Sequence, residues 1–187
     1  MNPETADLMF SSASVEWATP QSFYDYINTY FGPFDLDPAA TDENHKAPAY
    51  YTKEQDGLRQ PWFGKVFINP PYQEPERACR SVCLKKRCIK RGWHTDVDLP
   101  GMDDWVRKTI HEVQTNPKVE KAVMLLPART DTKWYHELVL ENAHTIYFIK
   151  GRLNFNEAGS GAPFPSILVT FHKTRYDRPE FSTMVKR

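Results

Sequence analysis

The feature that most constrains this chain is a series of short apolar runs, most ending at proline or a polar residue, alternating with segments of helical period. Phe34 to Asp37 stops at Pro38, Lys65 to Ile68 at Asn69-Pro70-Pro71, and Ala122 to Leu126 at Pro127. Thr145 to Ile149 and Ile167 to Phe171 are further runs of strand length, the last preceded by a loop carrying Gly159, Gly161, Pro163 and Pro165. Phe23, Tyr26, Ile27, Tyr30 and Phe31 recur at i, i+3, i+4, i+7 and i+8, the stripe of an amphipathic helix. Thr19-Pro20 offers that helix a capping hydroxyl and a proline at its first position, and Gly32-Pro33 stops it. Met102, Val106, Ile110 and Val113 mark a second helix; Trp134, Tyr135, Leu138 and Val139 mark a third. This alternation predicts an α/β fold, a mostly parallel sheet flanked by helices. Ligands of such sheets bind beyond the carboxyl ends of the strands. Asp37 and Asn69 both fall at such ends.

Composition narrows the class. With 187 residues, 40% hydrophobic and 26% charged, the chain suits one soluble globular domain. No apolar run approaches the roughly 20 residues of a membrane span, and Met1 to Phe10 lacks the basic start and apolar core of a signal peptide. A reducing cytoplasm is the expected location, and residues 1–16 are expected to form a flexible lead-in. The net charge of zero predicts no whole-molecule attraction to nucleic acid. Charge is nevertheless concentrated: Arg77, Arg80, Lys85, Lys86, Arg87, Lys90 and Arg91 lie within fifteen residues that contain no acid.

Asn69-Pro70-Pro71-Tyr72 suggests a specific chemistry. An exocyclic amine on a nucleobase is a poor nucleophile because its lone pair is delocalised into the ring. A site that methylates it must accept both N–H hydrogens, which Asn69 can do with its side-chain carbonyl and Pro70 with its backbone carbonyl. The two prolines fix the turn that holds these acceptors, and Tyr72 offers a face on which a base can stack. A rigid turn after a strand is the plainer reading of the same four residues.

These motifs, with Trp17-Ala18-Thr19-Pro20, Phe34-Asp35-Leu36-Asp37-Pro38-Ala39-Ala40, Asp56-Gly57-Leu58, Trp62, Leu126-Pro127-Ala128-Arg129-Thr130 and Gly151-Arg152-Leu153-Asn154-Phe155, resemble the small phage-type Dam-like DNA N6-adenine methyltransferases. The resemblance runs from about Trp17 to Phe171. It implies a class I (Rossmann-like) methyltransferase fold over 17–187, S-adenosylmethionine as donor and double-stranded DNA as substrate, with no obligate protein partner. The implied reaction is direct in-line methylation of adenine N6 in a flipped-out base, with Asn69, Pro70, Pro71 and Tyr72 as catalytic residues. The cofactor is expected near Trp17, Thr19 and Pro20, near Asp37, Pro38 and Ala39, and near Asp56. Related enzymes often carry glycines after the second of these motifs; here none follows until Gly57. An acid ending a buried strand is costly unless used or paired, which favours a role for Asp37. Arg152 is a candidate DNA contact.

At about 74–102 the chain carries an insert that family members usually lack, with the pattern Cys79-x3-Cys83-x4-Cys88-x5-His94. Three cysteines and a histidine in sixteen residues, in a chain otherwise free of cysteine, suggest a structural zinc site. Three free thiols and a surface histidine are the alternative. The seven basic residues of the insert are candidate phosphate and base contacts, or else a solvated face. Three other functions share these features: cytosine-N4 methylation, methylation of a protein glutamine amide, and zinc-dependent DNA binding without catalysis on a degenerate methyltransferase fold.

Overall fold

A computed structural model describes residues 17–80, 83–155, 162–174 and 176–185. The expected lead-in over 1–16 and the loop glycines Gly159 and Gly161 lie outside the described residues. Helix α1 (Gln21–Phe31) buries Phe23, Tyr24 and Ile27, as its apolar stripe requires. Strands β1 (Leu36–Asp37), β2 (Ala49–Tyr50) and β3 (Gly64–Ile68) follow, then a short helix α2 (Lys86–Arg91) within the insert. Helix α3 (Met102–Thr115) leads into β4 (Val119–Pro127). A π-helical segment Tyr135–Val139 then runs into the single turn α4 (Leu140–Asn142). Strands β5 (Thr145–Lys150), β6 (Ser166–His172) and β7 (Glu180–Val185) complete the sheet.

The seven strands lie in the order β2-β1-β3-β4-β6-β5-β7. Neighbours pair in parallel except on either side of β6, which runs antiparallel to both β4 and β5. The α/β expectation therefore holds, with the last sequence-predicted strand reversed. Chain order turns at β1: the chain passes from β1 to β2 on one side and returns to place β3 on the other. That reversal puts a topological switch point at the carboxyl ends of β1 and β3, where an open α/β sheet forms its ligand crevice.

Period-2 alternation sends side chains to opposite faces of the sheet. Val66, Ile68, Ala122, Met124, Leu126, Ile167 and Val169 join one core with Trp105 and Val106 of α3 and with Leu138 and Val139. Phe67, Val123, Leu125 and Leu168 join the other core with Phe23, Tyr24 and Ile27 of α1. The result is three layers, helix–sheet–helix. Each fully buried side chain such as Phe67 or Leu125 contributes about 1.5–3 kcal/mol through removal from water. Among the described residues, no helix is long and apolar enough to cross a membrane.

The insert leaves the sheet directly after the tetrapeptide and returns at α3. Its ends are pinned together: the Met102 N–H donates to the Gln73 carbonyl at 2.9 Å, and Gln73 Nε2 donates to the Pro100 carbonyl at 2.8 Å. Glu76 and Leu99 then form an antiparallel bridge with N–H···O distances of 2.9 and 2.8 Å. Asp104 accepts from the Gly101 N–H at 2.7 Å and, with Asp103, places negative charge at the start of α3, where the helix dipole favours it.

Candidate functional site

Asp37 ends β1 and Asn69 follows the last residue of β3, so the two flank the switch point. Around Asn69 the sequence-predicted residues converge. Its Nδ2 donates to the Trp17 carbonyl and, at 3.0 Å, to Thr19 Oγ1. Its Oδ1 is buried with no hydrogen-bond partner among the described residues. A buried carbonyl left in that state costs about 1–3 kcal/mol, so the fold keeps an unused acceptor here. Thr19 does not cap α1 as its position suggested; the N-cap is Pro20, the helix begins at Gln21, and no side chain caps it.

Tyr72 is half-buried, and its hydroxyl donates to the Leu125 carbonyl at 3.1 Å, which fixes the plane of the ring. Burial holds that hydroxyl far above its ordinary ionisation range. The ring meets Phe164 edge-on at 5.5 Å and Phe155 at 6.4 Å. Trp17 contacts the same two phenylalanines, at 5.3 Å and 5.6 Å. Trp17, Tyr72, Phe155 and Phe164 thus form one aromatic cluster next to Asn69. Phe155 belongs to a motif recognised in the sequence. Phe164 was not singled out, and only its place in the proline-rich loop hinted at it.

Asp37 is 3% exposed. Its two oxygens accept from the Ala39 N–H at 3.3 Å and the Lys46 N–H at 3.0 Å. Burial outweighs these bonds and the nearby Lys46 and His45, and pushes the carboxyl up to about 6. The loop carrying Asp56 packs on the same strand end. A Cβ on Gly57 would stand 1.9 Å from the Pro38 carbonyl oxygen, so only glycine lets the two loops meet. Trp62, fully buried, donates from Nε1 to the Gly57 carbonyl at 2.8 Å and pins that loop from behind. Asp56 adopts φ 54°, a left-handed conformation that aspartate tolerates, and pairs with Arg59 at 3.1 Å. Asp37, Pro38, Ala39 and Asp56 therefore cluster, while Trp17, Thr19 and Pro20 belong to the Asn69 side of the crevice.

In the insert, the ligand atoms of Cys79, Cys83, Cys88 and His94 all lie within 4.8 Å of one another, a group able to hold a metal ion. Cys79 and Cys88 have their sulfurs 3.5 Å apart. Burial opposes ionisation of Cys79, but hydrogen bonds with His94 and Cys83 outweigh it and pull the thiol down to about 6. Burial and the neighbouring thiols push Cys88 up to about 11.

The basic run divides into two sets. Arg87 and Arg91, one turn apart on α2, both reach Glu76, and Arg87 also reaches Glu74 at 3.3 Å. Arg91 additionally stacks over the Trp93 ring, with its guanidinium carbon 3.6 Å from the centroid. Arg77 pairs with Asp98 at 3.2 Å, and Lys85 donates to the Arg77 carbonyl at 2.6 Å. Arg80, Lys86 and Lys90 are exposed, as is Arg152 just beyond β5. The acids that engage this run, Glu74, Glu76 and Asp98, lie outside its fifteen residues and were not singled out in the sequence.

A profile described as DNA N-6-adenine-methyltransferase (Dam) matches residues 10–187. A DNA N-6-adenine-methyltransferase of Escherichia phage T1 is 30% identical over 140 residues, which make up 73% of this chain and 45% of that protein. A DNA N-6-adenine-methyltransferase of Haemophilus phage HP1 (strain HP1c1) is 30% identical over 162 residues, 83% of this chain and 77% of that protein. The chain thus spans less than half the length of the phage T1 protein but most of the HP1 protein. With the family profile matched over nearly its whole length, the chain belongs to the DNA N-6-adenine-methyltransferase (Dam) family.

Proposed function

We propose that this protein transfers a methyl group from S-adenosylmethionine to the N6 amino group of adenine in duplex DNA. One observation carries the reading: a buried amide oxygen on Asn69 with no partner among the described residues, beside an aromatic cluster, at the switch point of the sheet. An amine held there gives one hydrogen to Asn69 Oδ1 and the other to the Pro70 carbonyl. Donating both hydrogens in hydrogen bonds to these acceptors draws the nitrogen lone pair out of conjugation with the ring. Tyr72, its ring plane fixed through Leu125, provides the stacking face, a contact worth about 1–3 kcal/mol. A paired adenine cannot reach these groups, so the base leaves the helix stack.

S-adenosylmethionine, when bound, supplies a methyl already activated on a sulfonium. The buried Asp37 at the switch point, with Pro38, Ala39 and the Asp56 loop, suits its binding, since an acid kept there at the expense of burial calls for a polar ligand. Cys79, Cys83, Cys88 and His94 suit a structural zinc. Thiolate and imidazole are zinc's preferred donors, and tetrahedral bonds of about 2.3 Å place sulfurs about 3.8 Å apart, near the spacing of Cys79 and Cys88. Zinc there would tie α2 to the neck of the insert. The exposed Arg80, Lys85, Lys86 and Lys90 of the insert, with Arg77 and Arg87 beside them in sequence and Arg152 beyond β5, are then the phosphate contacts. Arg91 serves chiefly to hold Glu76. The site of action is wherever the DNA is, the host cytoplasm for a phage protein.

The test is incubation with duplex DNA and methyl-labelled S-adenosylmethionine, followed by nucleoside analysis. Labelled N6-methyladenine is expected. Label in N4-methylcytosine would replace the substrate, and DNA binding without label would leave a non-catalytic binding protein.

A further inference from the structure

We propose that Thr19, together with the Trp17 carbonyl, is a positioning residue that locks the Asn69 amide with its oxygen toward the substrate. The inference rests on the methyl-transfer reading of the Asn69 site. A primary amide is nearly symmetric in shape, so its carbonyl and amino ends exchange places unless the surroundings distinguish them. At Asn69 they do. The Trp17 backbone carbonyl can only accept, so an amide oxygen turned toward it would set lone pair against lone pair. Thr19 Oγ1, at 3.0 Å, takes the remaining amide hydrogen. With both hydrogens engaged, the amide can offer only Oδ1, the buried oxygen with no partner among the described residues.

The local sequence explains why this hydroxyl is available. A residue before proline is held extended, and Pro20 holds Thr19 so. Thr19 is 4% exposed and stands one residue before Pro20, the N-cap of α1, so its hydroxyl is not drawn into capping the helix. Trp17, which supplies the second acceptor, is held by edge contacts to Phe155 and Phe164, the same rings that pack on Tyr72. The acceptor lock and the stacking face therefore share one aromatic cluster. The consequence is chemical selection: a locked acceptor welcomes an amine and repels a ring carbonyl, whereas an amide free to turn would accommodate either.

The experiment compares Thr19→Val, which keeps the shape and loses the acceptor, with Thr19→Ser, which keeps the acceptor. Turnover, cofactor affinity and the side-chain amide signals of Asn69 in 15N-labelled protein are measured, the signals being assigned by their loss in Asn69→Ala. Thr19→Val should lower kcat roughly 3- to 30-fold, the scale of one lost hydrogen bond, with cofactor affinity within about twofold of wild type. One Asn69 amide proton should shift upfield in Thr19→Val, and Thr19→Ser should restore both turnover and the signal. Unchanged Asn69 signals in Thr19→Val would overturn the lock. So would a loss of cofactor affinity in Thr19→Val that tracks the loss of turnover, which would make Thr19 a cofactor residue instead. If the wild-type protein methylates no DNA, the methyl-transfer reading fails by itself, and the amide signals still decide whether Thr19 orients Asn69.

Discussion

Arg91 meets Glu76 as a bidentate pair, Nη1 to Oε2 at 2.8 Å and Nη2 to Oε1 at 3.0 Å. The same carboxylate takes Arg87 at 3.3 Å and lies 3.8 Å from the sulfur of Cys88. Glu76 also holds the backbone bridge to Leu99. One acid thus joins the neck of the insert, its helix and its thiol group.

Glu76→Gln should loosen the insert while leaving the sheet folded. Hydrogen bonds from Arg91 and Arg87, against the opposing effect of burial, hold this carboxyl below its ordinary range. A group depressed in the folded state contributes stability above its unfolded pKa of about 4.3, and loses it as pH falls through the folded value. Tryptic cleavage within α2 should accelerate roughly tenfold in the variant at neutral pH, and in wild type the hydrogen-exchange protection of the α2 amides should fall only below about pH 4. Equal cleavage rates at pH 7 would deny Glu76 this role.

Asn69→Ala should lower methyl transfer by at least about 100-fold, the scale set by removing one preorganised polar group from an active site. The thermal midpoint should move by only a few degrees, because the variant removes a buried oxygen without a partner among the described residues as well as two hydrogen bonds. Wild-type turnover in a folded Asn69→Ala protein would remove Asn69 from the chemistry.

Asp37 should leave a pH signature of opposite sign to that of Glu76. Its folded pKa, raised to about 6 by burial, exceeds the unfolded value of about 3.9. Its contribution is therefore fully present below about pH 4 and lost as pH rises through about 6, a change of about 2–3 kcal/mol. Denaturation curves for Asp37→Asn should gain on wild type by that amount between pH 4 and pH 7. A constant difference across this range would show that Asp37 titrates normally. If ionised Asp37 holds the cofactor, cofactor affinity should also weaken below about pH 6.

Gly57→Ala forces a methyl group onto the Pro38 carbonyl at 1.9 Å, so one loop must move. A stability loss of about 1–3 kcal/mol is expected, the range for overpacking. Cofactor affinity, measured by calorimetry, should fall as well. Unaltered affinity would mean that the Pro38 loop does not line the cofactor site.

Purified protein should carry one equivalent of zinc by elemental analysis. Cys83→Ser should lose it and bind DNA more weakly, with a reduced dependence of affinity on salt. Full zinc content in that variant would exclude Cys83 as a ligand.

The parts of the fold legible in the sequence were those that bury an apolar pattern. The runs ending at Asp37, Ile68 and Leu126 are strands because their alternating side chains fill both cores. Strand β2 is only two residues long, and β7 is largely exposed at the sheet edge, so neither leaves an apolar signature. Helix α2 escaped for a related reason: Cys88 is its buried side chain, and its two ends are held by the Arg87 and Arg91 ion pairs to Glu76 rather than by a stripe. At the site, the tetrapeptide was legible because its chemistry is local. The bond from Asn69 to Thr19 spans fifty residues of sequence, and no window on the chain discloses it.

At the neck of the insert, the Gln73 carbonyl and the Met102 amide stand 2.9 Å apart. The chain therefore leaves the body of the fold after Asn69-Pro70-Pro71-Tyr72 and rejoins it at the start of α3, at nearly one point. A segment attached in this way is a cassette. It can be lengthened, exchanged or excised down to a tight turn without re-threading a strand, so whatever this surface contacts can diverge while the Asn69 amide and the rings beside it stay where they are.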